Sequence, residues 1–302
     1  MLLLGFLLIN PTEAVAGSKS GLMLWFQSVL PVLLPFIILS RLLISLDGLR
    51  PLIRVLQPVT NRLWGLSPMG TYALLLGFLC GYPMGAKITG DLVRENQISK
   101  EEGAYLLRFC NNVSPAFLLG FCMTEHLKAP ALIPLTLGLV YGIPLLLAFF
   151  WRKGRSFSSH TQKQASGFQS SFKIVDACIM NGLENILKLG CYIILFSIMA
   201  RLAALIPWPH PLISGICIGI MEITNGIAAV SQLQTPFFFR YLAVLGFLIF
   251  GGLSGVAQAN SMLQGSGLST ADYVRAKLVT TGLAVLLAAA LFILLPQLLL
   301  PH

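Results

Sequence analysis

Six stretches of this 302-residue chain contain no Asp, Glu, Lys or Arg: Ser20 to Ser40, Leu63 to Ala86, Ala131 to Trp151, Leu202 to Met221, Tyr241 to Ala271 and Leu278 to His302. A helix needs roughly 20 predominantly apolar residues to cross the hydrocarbon core of a bilayer. Inside that core the backbone must satisfy its own hydrogen bonds, which leaves helices or closed barrels. Runs of this length and hydrophobicity predict an all-α, polytopic helical membrane protein. Only 10% of the residues are charged, where a soluble domain carries about a quarter. The net charge of +9 is scattered over loops and helix ends, which suits topology signals and lipid headgroups and does not suggest nucleic acid.

Two of the apolar runs end in polar breaks that contain glycine. One is Gly81-Tyr82-Pro83-Met84-Gly85-Ala86-Lys87, the other Glu222-Ile223-Thr224-Asn225-Gly226. Such a break is costly in hydrocarbon unless it is buried in protein or lines a cavity. Paired breaks in two halves of a chain point to the binding site of a secondary transporter. Two further polar clusters sit beside Gly or Pro. They are Asn111-Asn112-Val113-Ser114-Pro115, and the set Ser254, Gln258, Asn260 and Ser261.

The chain divides into a first membrane half (1–151), a basic linker (152–173) and a second membrane half (174–302). The linker holds Arg152, Lys153, Arg155, Lys163 and Lys173 with no acid, as expected of a cytoplasmic loop. The halves echo each other weakly: Phe36 to Leu42 matches Phe196 to Leu202, Gly85 to Leu92 matches Gly226 to Leu233, and Phe109 to Ser114 matches Phe250 to Gly255. Met1 to Ile9 is too short to span and reads as a short interfacial helix or the tail of a shortened first element. Ser20 to Leu46, with Pro31 and Pro35, is either one kinked span or a re-entrant hairpin. Gly48 to Trp64 reads as an amphipathic interfacial helix with Arg54, Gln57 and Asn61 on its polar face, turned to water. Ser99 and Glu102 can form a capping box. If Arg50 to Arg62 and the linker lie on one side, one of the three intervening apolar segments must be re-entrant. Ala104 to Thr124, broken at Asn111 to Pro115, is the candidate.

Glu222 is the only acid between Glu184 and Asp272, and an intramembrane carboxylate is by default a functional candidate. It either couples proton or sodium movement and orients a ligand, or pairs structurally with Arg201, Lys87 or a helix N-terminus. Lys87 either faces an anion beside backbone unwound at Gly81 and Tyr82 or snorkels to the interface. Arg41 and Arg201 occupy matching positions and could receive a carboxylate, or mark helix ends. Asn111, Asn112, Ser114, Thr224, Asn225, Ser254, Gln258 and Asn260 either line a solute site or glue helices together.

The six cysteines include no CxxC and the four histidines lie far apart, so neither a disulfide framework nor a metal motif is visible. GxSxG, HExxH and Walker A strings are missing. The reading is not an enzyme and implies no cofactor.

Four strings, Leu33 to Ser40, Gly81 to Lys87, Asn111 to Pro115 and Gly219 to Gly226, together resemble the YlbJ-type sporulation integral membrane proteins. The resemblance runs in order from about Gly21 to Leu291. It implies two nucleoside-recognition ("Gate") repeats, kinked or re-entrant helices, and a distant kinship with the concentrative nucleoside transporters and their inverted repeats. It also implies transport of dipicolinic acid across the membrane around the forespore of an endospore-forming bacterium. The expected partners are the bilayer, a small solute and a coupling proton or sodium ion, with a homo-oligomer left open. Two other readings stand beside it: a nucleoside transporter, and a non-transporting scaffold or assembly factor of sporulation.

Overall fold

Every regular element among the described residues is helical. The computed structural model describes residues 2–45, 50–152, 154, 156–157 and 171–295. Most of the basic linker 152–173 and the side chain of Arg41 lie outside them.

Helix α1 (Leu2–Ile9) is short, as its eight residues require. Helix α2 (Pro11–Leu24) continues through a π-type turn (Trp25–Val29) into α3 (Leu30–Ser45). The proline-containing segment is thus one continuous helix rather than a hairpin. The Trp25 ring covers Gly190 of α10 (Ser171–Ala204), and its indole N–H donates to the Ile186 carbonyl at 3.0 Å.

Helix α4 (Arg50–Trp64) meets α5 (Pro68–Cys80) at a bend of 97°. Its polar face departs from expectation. Gln57 and Asn61 turn into the protein and both donate to the Leu66 carbonyl, at 3.0 and 3.1 Å. Val55 and Val59 are exposed instead. The physical reason is the sharp corner at 65–67: a buried carbonyl there needs donors, and the nearest amides supply them.

The helices that follow are interrupted. Helix α5 stops at Gly81, which has φ +79°. A cis Tyr82–Pro83 bond follows, then α6 (Met84–Arg94). Helix α7 (Lys100–Leu106) starts with Ser99 accepting the Glu102 amide at 3.1 Å. Only half of the capping box forms, because the Glu102 carboxylate reaches across to the Ser67 amide at 2.7 Å. Residues 111–114 are not helical, and a π-type helix (Phe117–His126) follows. Ala104 to Thr124 is therefore a broken helix. Helices α8 (Ile133–Leu137) and α9 (Ile143–Trp151) belong to one apolar span, Pro130–Trp151.

The second half repeats this course. Helix α11 (Pro211–Met221) breaks at Glu222 before α12 (Ile223–Ser231). Helix α13 (Phe237–Phe250) breaks at Gly251, φ +85°, before α14 (Gly252–Leu263), and α15 (Thr270–Leu294) closes the fold. Gly81 and Glu222 are 141 residues apart, and so are Cys110 and Gly251. The spans Pro130–Trp151 and Thr270–Leu294 start at nearly the same spacing. Four described helices are long and apolar enough to cross a membrane, or five if the bent α4–α5 pair is one span.

The two largest apolar clusters do not follow the halves. One combines Ile37, Tyr72, Leu76 and Phe109 with Ile186, Leu189 and Ile193 of α10. The other combines Leu118, Met123 and Val140 with Ile227, Tyr241, Phe247 and Phe292.

At the Glu222 break, α11 and α12 touch backbone to backbone. A Cβ on Gly226 would lie 2.1 Å from the Gly219 Cα. Gly226→Ala must push these two segments apart, an overpacking cost of about 1–3 kcal/mol. Its thermal midpoint in detergent is expected to fall clearly, whereas Gly120→Ala, with nothing within 4 Å of the added carbon, should match the native chain.

Candidate functional site

Three of the breaks open onto a single cavity of about 220 Å³. Tyr82 comes from the first break, Val113 and Ser114 from the second, and Glu222, Ile223 and Thr224 from the third. Gln258 of α14, Ser28 and Val29 from the α2–α3 helix, and Leu189 and Ile193 of α10 complete much of the wall. Phe117, Phe121 and Glu125 line it from the π-type helix.

The fourth break reaches the cavity through Tyr82. A Cβ on Gly251 or Gly255 would meet the Tyr82 ring at about 3.7 and 3.6 Å. The ring lies across the αL turn that ends α13. Among the described residues its buried hydroxyl has no hydrogen-bond partner, an unusual state for a phenol.

Local sequence explains why the chain comes apart here. Gly77, Gly81 and Gly85 recur at four-residue spacing. Carbons added to them would lie 2.1 Å from the Cys110 carbonyl oxygen, 2.5 Å from the Ser114 amide and 2.4 Å from the Cys110 carbonyl again. Small residues at this spacing let backbones approach closely. The 110–114 segment thus lies against α5 and α6 with nothing between. The Tyr82 amide donates to the Asn112 carbonyl at 2.6 Å, so one break fills the hydrogen-bonding need of the other.

Glu222 is 4% exposed. Its carboxylate accepts the Asn225 amide at 2.8 Å and the Thr224 hydroxyl at 3.1 Å, the arrangement of a helix N-cap for α12. Of the three structural partners weighed from the sequence, it takes the helix N-terminus. Arg201 pairs with Glu13 at 2.6 Å, and Lys87 pairs with Asp91 at 3.3 Å.

The other sequence candidates fall into distinct places. Tyr82, Ser114, Glu222, Thr224 and Gln258 line the cavity. Ser254 sits behind Gln258, accepting from its amide at 2.9 Å. Gly81 backs the Ser114 amide. Asn225 turns away, donating to Ser197 of α10 at 3.0 Å and accepting from Ser20 of α2 at 3.4 Å. Asn260 is exposed and accepts from Thr270 at 2.7 Å, outside the cavity. Asn111 and Asn112 are buried just behind the wall and bind α15: Asn111 donates to the Tyr273 hydroxyl at 3.0 Å, and Lys277 donates to the Asn112 side-chain oxygen at 2.9 Å.

Ser28, Glu125, Tyr273 and Lys277 were not legible as site residues. Lys277 precedes a long apolar run by one position and reads as a charge at a helix end. Tyr273 and Lys277 are four apart, the spacing that puts two side chains on one helix face, and that is the only signal the sequence carried. Among the described residues no group of three or more His, Cys, Asp or Glu could hold a metal.

Helices interrupted in pairs around a shared cavity, together with at least four membrane-length apolar helices among the described residues, define a polytopic helical membrane protein with discontinuous helices. The chain is similar to the sporulation integral membrane protein YlbJ of Bacillus subtilis (strain 168): 27% identical over 307 residues, covering 89% of this chain and 75% of that protein. The similarity supports a YlbJ-type membrane protein, the family its motifs resemble. No protein-family model matches the chain, and no solved structure matches it.

The partnerless Tyr82 hydroxyl has a direct consequence for stability. Tyr82→Phe removes no hydrogen bond and relieves a buried unsatisfied group, worth up to about 1–3 kcal/mol. Its thermal midpoint is expected to equal or exceed that of the native chain in differential scanning fluorimetry.

Proposed function

We propose that the chain is a secondary transporter for a small carboxylated, heteroaromatic solute, and that the solute is dipicolinic acid. The observation that carries this reading is the meeting of three helix breaks at one cavity, with the fourth reaching it through the Tyr82 ring. Such breaks supply unpaired backbone groups and half-helix ends where a solute can bind, and pseudo-symmetric pairs of them let a transporter open to either side in turn. The YlbJ-type resemblance supplies the solute and the setting, a membrane around the forespore during sporulation.

Size and charge refine the reading. A volume of about 220 Å³ lies below the roughly 300 Å³ at which pockets for drug-sized ligands begin, which favours a single-ring solute over a nucleoside. The aromatic rings of Phe117, Phe121 and Tyr82 offer stacking surface, and Ser114, Thr224 and Gln258 offer hydrogen bonds. The wall carries two carboxylates, Glu125 and Glu222, and neither lysine nor arginine. A dianion entering this space meets like charge and needs compensation. Co-transport of a proton or sodium ion at Glu222 provides it.

The test is uptake of dipicolinate into proteoliposomes, with Glu222→Gln as the paired variant. The amide keeps an oxygen that can accept the Asn225 amide, so the variant is expected to fold. Saturable uptake in the native protein and at least a roughly tenfold loss in Glu222→Gln, about 1.4 kcal/mol or more, are the expected result. Uptake of nucleosides but not dipicolinate would move the solute assignment. Folded protein that moves neither would favour the scaffold reading, in which the breaks serve packing alone.

A further inference from the structure

The cation that the cavity wall lacks lies directly behind it. Lys277 is 1% exposed and projects from α15 into the protein. Its ammonium donates to the Asn112 side-chain oxygen at 2.9 Å and stands 5.9 Å from the centre of the Tyr273 ring. Among the described residues no carboxylate forms an ion pair with it. An ammonium held in a protein interior with no anion is unfavourable by several kcal/mol, and burial drives such a group toward the neutral amine unless an anion joins it.

The segment that Lys277 touches is short of acceptors too. No described residue accepts a hydrogen bond from the amides of Asn111, Asn112, Val113 or Ser114. All four residues are buried. Buried amides without acceptors are rare, and here four follow one another. The same segment leads from Asn112, against Lys277, to Val113 and Ser114 in the cavity wall. Lys277 and this segment meet at the Asn112 side chain, just behind the part of the wall made by Val113 and Ser114.

We propose that Lys277 and the 111–114 backbone form the site that takes a carboxylate of the solute; this rests on the transport reading of the cavity. The arriving carboxylate displaces the Asn112 side-chain oxygen from the ammonium, replacing a neutral acceptor by a charged one. The ring of the solute remains in the cavity beside Tyr82 and Phe117. The site is single. Position 136, which stands 141 residues before Lys277, is a threonine that hydrogen-bonds to the Tyr241 hydroxyl at 2.9 Å. The repeats therefore differ in charge at the matching place.

Equilibrium binding to the purified full-length protein tests this, with radiolabelled dipicolinate as one probe and its uncharged diamide, pyridine-2,6-dicarboxamide, as the other. Lys277→Met is expected to weaken dipicolinate by at least roughly tenfold, about 1.4 kcal/mol, and to leave the diamide within about twofold. Asn112→Asp supplies a fixed carboxylate to Lys277. It is expected to fold with native or higher thermal stability and to lose dipicolinate to a similar extent, and it decides the matter if Lys277→Met fails to fold. Native-like dipicolinate affinity in folded variants would overturn the role of Lys277 and leave the transport reading intact. A native protein that binds neither probe would overturn both.

Discussion

The contact between the 110–114 backbone and the glycines of α5 and α6 is the constraint on which the rest of the architecture rests. Carbons on Gly77, Gly81 or Gly85 would lie within 2.1–2.5 Å of that backbone, distances no Cβ can occupy. Because the approach is so close, the Tyr82 amide can reach the Asn112 carbonyl, and the Ser114 amide lies over Gly81. Non-helical backbone inside a membrane protein survives only when protein surrounds it. Here one break is the surroundings of the other. The cavity is the space left where these two breaks and their counterparts at Glu222 and Gly251 do not quite close.

Charge is distributed with the same economy. The cavity wall holds carboxylates, while the buried cation lies on the far side of the Asn112 segment. Glu222 is fixed in place by the start of α12, where its carboxylate accepts the Asn225 amide and the Thr224 hydroxyl. Its burial follows from capping, and its exposure to the cavity follows from the break. A residue that a helix needs for its own start is thereby also an acid in the cavity wall.

The fold class was legible because hydrocarbon imposes long uncharged runs, and those runs survive in any reading of the chain. The breaks at Gly81 and Glu222 were legible for the same reason, since glycine and polar residues inside such runs have few structural uses. The site was legible only in part. Asn225 and Asn260 carry the same chemistry as Asn111 and Asn112, yet the first binds Ser197 and the second accepts from the Thr270 hydroxyl at the start of α15. Which way an amide turns is set by the neighbouring helix, and sequence spacing does not contain that helix. Gln57 and Asn61 show the converse: on a helix with an obvious polar face, these two amides turned inward to the Leu66 carbonyl while Arg54 stayed exposed. Lys277 was hidden because one charge near a helix start is what interfaces ordinarily show.

The two main apolar clusters exchange partners across the linker. Helix α10, from the second half, is built into the core of the first. The segment from Leu118 to Ile143, from the first half, is built into the core of the second. Separating the two halves as rigid bodies would tear both cores open. A motion that spares both cores must slide along the boundary between them. That boundary carries the Asn111–Tyr273 and Asn112–Lys277 hydrogen bonds, the Tyr82 ring on Gly251, and a small cluster that includes Ala86, Leu107, Ala259 and Met262. The two apolar cores therefore do not coincide with the two halves of the sequence: each is built from both, so neither half, taken alone, contains a complete core.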